Sequence, residues 1–308
     1  MGLEHDFIQL CKSRDGKSHA AVTDRLRIAR QMARDLIGPL RFPKTLRVSD
    51  LGGRHVNKLV THWQRQEMSI GTIKNRLSVA RYIYKRLGKS HMLLRTNGEY
   101  GIGERPRRTV SRAIELTEEA LARIDSKQAP RIRVSLRLQR YLGLRFEESV
   151  KLIPREAIVR DMQGTITGLR LRGSWCKNGR ERNLVIEKEH QRELLEECVV
   201  IAGAGSLINP FHTYDKWRNH FYYYCGKAGI RDRHGLRHQY AQERYTELTG
   251  HQAPILDIGG SEEVELDWVT DDRARHHLSN ELGHGRKKVT DAYLGKSTNL
   301  ATQKPVMS

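Results

Sequence analysis

The amino-acid sequence predicts a mainly α-helical fold with one small antiparallel β-sheet, an α+β architecture divided between two domains. Apolar residues recur at helical spacing through most of the 308 residues. Short extended runs occur only between residues 158 and 186. A stretch rich in Gly, Pro and Arg between residues 96 and 112 has no periodicity, which is typical of a linker. A chain of this length is expected to form about two domains.

The first domain is predicted over residues 1–109 as helices joined by short breaks. One helix ends before Pro43, whose ring cannot continue a helix. A second covers about Arg54 to Glu67, and a third follows Ser69, with Thr72 as its expected N-cap. The apolar row of the third helix is Ile73, Leu77, Ala80, Tyr84 and Leu87. Beside it runs a basic row of Lys74, Ser78, Arg81 and Lys85.

The second domain is predicted over residues 110–308. Thr117 is expected to cap a helix whose first turn carries two acidic residues, and a buried helix then extends up to Arg145. Three short strands are predicted at 158–159, 166–171 and 184–186. Asn178-Gly179 favours a tight hairpin between the last two, because both residues tolerate positive φ. Helices are predicted at 190–202, 214–226 and 234–248, and an irregular stretch then leads to His284.

The charge balance indicates a polyanionic partner. There are 55 Lys and Arg residues against 36 Asp and Glu, a formal net charge of +19 and a pI near 10.0, so the simplest partner is nucleic acid. A charged helix face is usually only solvated, but charges of one sign favour phosphate contacts. The expected DNA-contacting residues lie on the third helix, in the linker and near the C-terminus: Lys74, Arg81, Lys85, Arg107, Arg108, Arg286 and Lys287.

The sequence also predicts a cytoplasmic, nucleoid-associated protein. No run of about 18 apolar residues is long enough to span a membrane. The first residues lack the basic and apolar regions of a signal peptide. The four cysteines are scattered without a CxxC pair, which fits reduced thiols rather than a disulfide framework or a zinc site.

Three motifs follow one another in the second domain. They are Gly143-Leu144-Arg145-Phe146-Glu147-Glu148, then His234-Gly235-Leu236-Arg237-His238, then Leu282-Gly283-His284 with Tyr293 nine residues after the histidine. On a very basic chain this set resembles the catalytic residues of the tyrosine recombinases, or phage-integrase family. The resemblance covers the motifs of residues 116–294 well and the first domain in outline.

The resemblance implies a site-specific DNA recombinase, the integrase of a mobile genetic element. It implies a C-shaped clamp around duplex DNA, formed by a helical, SAM-like core-binding domain and a catalytic domain. The expected partners are double-stranded DNA at recombination sites and three further copies of the chain. DNA-bending or directionality factors remain open. No cofactor or metal is expected, because a covalent phosphotyrosine conserves the energy of the broken bond.

Cleavage of a phosphodiester needs a nucleophile and charge stabilisation. Tyr293 is the expected nucleophile. Arg145 and Arg237 suit the phosphate because a guanidinium donates paired hydrogen bonds and stays ionised. His234 lies three residues before Arg237, on the same helical face. The resemblance implies that His284 also donates to the phosphate.

Two further residues complete the expected site. The segment Cys176-Lys177-Asn178-Gly179-Arg180-Glu181-Arg182 resembles the hairpin of the family, in which the first lysine is the general acid, so Lys177 is the candidate here. Glu148, three residues after Arg145, is expected to position that arginine.

Some of these residues also fit other interpretations. His234 and His238 could ligate zinc, but there is no HExxH motif and no cysteine at ligand spacing. A DNA-binding regulator without catalysis, or a resolvase or topoisomerase with the same site, would share these motifs.

The chain departs from the family in one respect: His284 follows Arg237 by 47 residues, about twice the usual spacing. The excess is an acidic insertion near 249–274, for which a passive surface loop, a protomer contact and a DNA mimic are all open.

Overall fold

The computed structural model describes residues 2–16, 18–106, 110–256 and 267–296. These residues are mainly helical, with one three-stranded antiparallel sheet, which confirms the predicted fold class. The chain divides into two compact units, Met1–Arg107 and Arg108–Ser308. The sequence-based division, after residue 109, and the roles assigned to its two parts stay predictions.

The first unit is built from α1 (Leu3–Cys11), α2 (His19–Ile37), α3 (Gly53–Arg65) and α4 (Ile70–Arg86). Their apolar faces form one core. The N-cap of α4 is Ser69, whose hydroxyl accepts the amide of Thr72 at 3.2 Å, so the predicted cap at Thr72 is wrong by one turn. Asp35 of α2 connects α2 with α3 and α4. Its buried carboxylate accepts hydrogen bonds from Trp63 Nε1 of α3 at 2.8 Å and from Arg76 Nη1 of α4 at 3.3 Å.

Part of the predicted linker belongs to the first unit. A 3-10 turn spans Gly98–Tyr100, and Tyr100 and Ile102 are buried in the same core as the helices. These two apolar side chains fix a segment whose Gly and Pro content alone indicates a linker.

The second unit combines helices with the sheet. Its elements are α5 (Glu118–Ala122), α6 (Ala129–Tyr141), α7 (Phe146–Lys151), α8 (Pro154–Ala157), β1 (Ile158–Arg160), β2 (Ile166–Leu171), β3 (Arg182–Val185), α9 (Glu189–Ala202), α10 (Tyr214–Lys227), α11 (His234–Thr249), α12 (Trp268–Glu281) and α13 (Asp291–Leu294). The strand order is β1-β2-β3, and Leu169 of β2 pairs with Ile158 on one side and Leu184 on the other. This sheet packs against α6 and α9.

Three local predictions in this unit are wrong. The helix expected to reach Arg145 ends at Tyr141, because Gly143 takes a left-handed φ of 60° and interrupts it. Asn178-Gly179 does not form a two-residue hairpin: two 3-10 turns separate β2 from β3, since Trp175 and Cys176 fold into the core. The stretch before His284 contains a helix, α12, which Asp267 caps by accepting the amides of residues 269 and 270.

Candidate active site

Arg237 lies at the centre of the site, on the first turn of α11, and its side chain is fully buried. Its Nε donates to the Tyr293 hydroxyl at 3.3 Å, and its Nη2 lies 3.3 Å from His284 Nε2. Nη1 and Nη2 also donate to the backbone carbonyls of Gly143 and Leu282. One guanidinium therefore joins all three sequence motifs. Burial lowers the pKa of Arg237 to about 10, so the group remains ionised at neutral pH.

A buried carboxylate, Glu148, holds three guanidinium groups around it. It accepts from the Arg145 amide and from Arg145 Nη1, both at 2.7 Å. Arg182 binds it through two parallel hydrogen bonds of 2.9 and 2.8 Å, and Arg237 Nη1 lies 3.8 Å away. Burial alone would raise the pKa of Glu148, but Arg182, Arg237 and Arg145 outweigh it and lower that pKa to about 2. The carboxylate is therefore ionised at all physiological pH values.

Arg145 and Glu148 are in contact although α6 and α7 do not form one continuous helix. Arg145 occupies the N-cap position of α7 and Glu148 its third residue, which brings the acidic side chain back to the Arg145 backbone. The predicted pairing is therefore present through helix capping rather than through a shared helical face. The Arg145 side chain is 20% exposed, so it is the more accessible of the two motif arginines.

Tyr293 is nearly buried, with 4% of its surface exposed, and its ring lies among histidines. The ring centroid lies 4.5 Å from that of His238, 5.5 Å from that of His284 and 5.8 Å from that of His234. The Tyr293 carbonyl accepts from Gln242 Nε2 at 2.9 Å. Ring and backbone are thus both held against α11.

The two motif histidines are neutral at physiological pH. Burial, Arg237 and Arg145 lower the pKa of His284 to about 3. Desolvation by the surrounding protein and the positive charges of Arg237 and Arg112 lower the pKa of His234 to about 4, although part of that side chain is exposed. A guanidinium can only donate, so His284 Nε2 accepts from Arg237 and the ring proton lies on Nδ1. Each neutral ring can still donate one hydrogen bond to an anion.

Lys177 begins a 3-10 turn in the β2–β3 loop and is exposed, and the residues that the structure describes give it no hydrogen bond or ion pair. The loop itself packs on the third motif. A side chain on Gly283 would overlap Arg182, and one on Gly285 would overlap Arg180. These two glycines let the β2–β3 loop approach His284 closely.

The predicted DNA-contacting residues differ in their exposure and in the contacts that they make. Lys85 and Arg286 are exposed, and Lys74 is half-buried. Arg81 donates to Asn97 Oδ1 at 2.7 Å, so it also fastens the segment after α4. Lys287 is exposed and forms an ion pair with Asp272.

Two of those candidates, Arg107 and Arg108, lie outside the described residues. So does the middle of the acidic insertion, residues 257–266. Within the described ranges there is no group of three or more His, Cys, Asp or Glu side chains placed to hold a metal ion. No described helix is both long and apolar enough to cross a membrane.

Three residues of the site escaped the sequence analysis: Arg182, Gln242 and Arg275. Arg182 had one detectable sign, since the alternation of β3 places it on the same buried face as Leu184, where a charge needs a partner. Gln242 and Arg275 follow no motif. Gln242 contacts Tyr293, which is distant in sequence, and Arg275 contacts Asp291 in a separate helix.

Comparison with known protein families finds matches in both units. The family model described as "Phage integrase, N-terminal" matches residues 1–93, and the model described as "Integrase" matches residues 103–243. No curated protein sequence is significantly similar to this chain.

Several solved structures share the fold. A lambda integrase (75-356) dimer bound to a COC′ core site has a TM-score of 0.60 at 13% identity, with 100% of each chain covered. XerH recombinase in a pre-cleavage complex with difH has a TM-score of 0.56 at 14% identity, covering 94% of this chain and 81% of that one. Tn1549 transposon integrase in complex with transposon right end DNA has a TM-score of 0.55 at 12% identity, covering 97% and 96%.

Proposed function

The chain belongs to the phage-integrase family of tyrosine recombinases, and we propose that it is the site-specific integrase of a mobile genetic element. It cuts and rejoins duplex DNA through a covalent 3′-phosphotyrosine intermediate. The observation that carries this proposal is the Arg237 guanidinium, which lies 3.3 Å from the Tyr293 hydroxyl and contacts both other motifs. A nucleophile and a phosphate-binding cation are thereby adjacent in one chain.

In the proposed reaction the Tyr293 oxygen attacks the scissile phosphorus. The tyrosine hydroxyl loses its proton to solvent water, a phosphotyrosine bond forms at the 3′ end, and the bond to the 5′ oxygen breaks. Arg145 and Arg237 stabilise the charge on the non-bridging oxygens, and Glu148 fixes Arg145 in place. Rejoining is the same step in reverse, with the 5′ hydroxyl as nucleophile, so no external energy source is needed.

The remaining residues have supporting roles in this proposal. His234 and His284 each donate one hydrogen bond to the phosphate, which a neutral ring can do. Lys177 delivers a proton to the leaving 5′ oxygen. The contact of Arg180 and Arg182 with the His284 loop supports this role, because it anchors the loop that contains Lys177 next to the site.

The proposed partner is double-stranded DNA, bound through the basic excess of the chain, and the proposed active assembly is a homotetramer on DNA. The DNA-bound state of the lambda, XerH and Tn1549 proteins supports the first point. A protein acting on chromosomal sites is proposed to work in the cytoplasm at the nucleoid.

The decisive experiment traps the covalent intermediate. The DNA flanking the gene supplies the attachment site, and a nicked duplex of that site is incubated with the protein and resolved on a denaturing gel. Wild type should form a protein–DNA adduct. Tyr293→Phe keeps the ring and its packing, so it should bind the duplex and form none. Arg237→Ala should form the adduct at least about 100-fold more slowly.

The same assay identifies a silent regulator, and plasmid substrates separate the two enzymatic alternatives. A catalytically silent regulator would bind the duplex without forming any adduct. A topoisomerase would relax supercoiled plasmid lacking the site, and a resolvase would act only on paired sites in one molecule. An undiminished adduct with Tyr293→Phe would exclude this tyrosine. Tyr240 and Tyr245 would then be next, although their hydroxyls donate to Glu281 and Asp271.

A further inference from the structure

Arg275, a buried residue of α12, holds the helix of the proposed nucleophile at both ends. Its Nη1 lies 3.2 Å from Asp291 Oδ1 and 3.0 Å from the Gly295 carbonyl. Asp291 is the first residue of α13 and Gly295 its C-cap, and Tyr293 lies midway between them. A single nitrogen therefore bridges the two ends of this helix.

The Arg275 side chain is itself rigidly placed. Its Nε lies 2.8 Å from each carboxylate oxygen of Asp271, one turn earlier on α12. The hydroxyl of Tyr245, on α11, donates to the same carboxylate at 2.5 Å. Arg275, Asp271 and Tyr245 are 4%, 5% and 0% exposed, so the arrangement is fixed by both burial and hydrogen bonds.

The helix α13 needs such support. It has four residues, far fewer than an isolated helix requires to be stable. Its position depends on what surrounds it: the packing of Tyr293 and Leu294, the bond from Gln242 to the Tyr293 carbonyl, and the two bonds from Arg275. Among these contacts, only the two Arg275 bonds reach α13 both before Tyr293, at Asp291, and after it, at Gly295.

We propose that Arg275 is a positioning residue for strand cleavage. It sets the orientation of α13 and so the placement of the Tyr293 hydroxyl beside Arg237. The inference rests on the proposed function, in which Tyr293 is the nucleophile. A displacement of a reacting atom by about 1 Å can cost about 100-fold in rate. Loss of Arg275 is therefore expected to slow cleavage by bound protein about 10- to 100-fold while DNA affinity changes less than about twofold.

The test compares Arg275→Met with Arg273→Met. Both remove one positive charge from α12, but Arg273 is exposed whereas Arg275 reaches α13. Full-length proteins are saturated on the nicked attachment-site duplex. Single-turnover adduct formation gives the cleavage rate, gel shifts give the affinity, and hydrogen exchange reports on the amides of residues 291–295. Arg275→Met should slow cleavage and speed exchange in α13, and Arg273→Met should do neither.

A second pair covers the case in which Arg275→Met does not fold. Asp291 is 31% exposed, so its replacement leaves the core intact. Asp291→Ala removes one acceptor of Arg275, whereas Asp291→Asn keeps an oxygen there. Cleavage should be slower with Asp291→Ala, and Asp291→Asn should recover most of the wild-type rate.

The outcomes distinguish this inference from the proposed function. Wild-type cleavage rates in folded Arg275→Met or in Asp291→Ala would overturn the inference, as would equal slowing by Arg273→Met. Covalent adduct formed by Tyr293→Phe would instead overturn the proposed function. A change in melting temperature alone, with unchanged cleavage by the bound protein, would show that Arg275 only stabilises the fold.

Discussion

Removing the negative charge of Glu148 should destabilise the site strongly. In Glu148→Gln the shape of the side chain is kept but its charge is lost. Arg182 and Arg237, 9% and 0% exposed as residues, then remain buried close together without their anion. The amide also directs an NH₂ group at a guanidinium, which has no acceptor.

The expected loss follows from the burial of these partners. Removing one partner of a buried, hydrogen-bonded ion pair costs about 3–5 kcal/mol, because the remaining charge stays uncompensated. The adjacent residue provides a matched control. Glu147 pairs with Lys151 at 2.6 Å, but its side chain is 44% exposed, so Glu147→Gln should cost no more than about 1 kcal/mol.

The assay must report on the second unit by itself. Urea-dependent hydrogen exchange of the β3 amides does so, because β3 carries Arg182 within the sheet. Glu148→Gln should lower the free energy of opening by about 3–5 kcal/mol relative to wild type. It should also abolish cleavage, since Arg145 loses the negative charge that holds it in place. A loss below about 1 kcal/mol, or one equal to that of Glu147→Gln, would refute the proposed dependence of the three arginines on this carboxylate.

Three further predictions follow from the contacts and charges described above. Because Tyr293 lies 3.3 Å from Arg237 of its own chain, mixing Tyr293→Phe with Arg237→Ala protomers should give no more adduct than Arg237→Ala alone. A recovered adduct would show cleavage in trans. The pKa of His284 is about 3 when folded but about 6.5 when unfolded, so the unfolded chain binds this proton first as pH falls. Stability should drop by about 2 kcal/mol from pH 7 to 5 on this account, and His284→Asn should show a smaller drop in urea unfolding. Replacing Lys74 and Lys85 together by Ala should reduce the slope of log affinity against log salt by up to about 1.8, and an unchanged slope would remove α4 from the DNA interface.

Site residues can be predicted from the sequence where function imposes a local spacing. The motif residues Arg145, Arg237 and Tyr293 are recognisable from their neighbours in the chain. In the structure Arg237 contacts Tyr293, and Arg145 and Arg237 both lie beside Glu148. Arg182 and Gln242 were missed because their partners, Glu148 and the Tyr293 carbonyl, lie 34 and 51 residues away. Nothing in the local pattern of either residue specifies those partners.

The helix α12 was missed for a different reason. Ala274, Leu278 and Leu282 do recur at helical spacing and are buried. Beside them runs a second buried row of polar residues: Asp271, Arg275 and Ser279. Hydrophobic periodicity assigns charged residues to the solvent side, so half of the buried face of α12 was counted as surface. The same assumption produced the interpretation of residues 249–274 as an acidic surface insertion, although Asp271 is 5% exposed.

That polar row gives part of the long segment between Arg237 and His284 a structural role. Two of its members, Arg275 and Ser279, contact the region of the third motif. Arg275 binds the two ends of α13, and Ser279 binds the His284 backbone, whose amide donates to the Ser279 carbonyl at 2.7 Å. The Ser279 hydroxyl donates to the His284 carbonyl at 3.4 Å. An apolar row could bury the same surface but could not orient two backbone segments by hydrogen bonds. The described part of the long segment is therefore better understood as the support for His284 and Tyr293 than as an addition beside them.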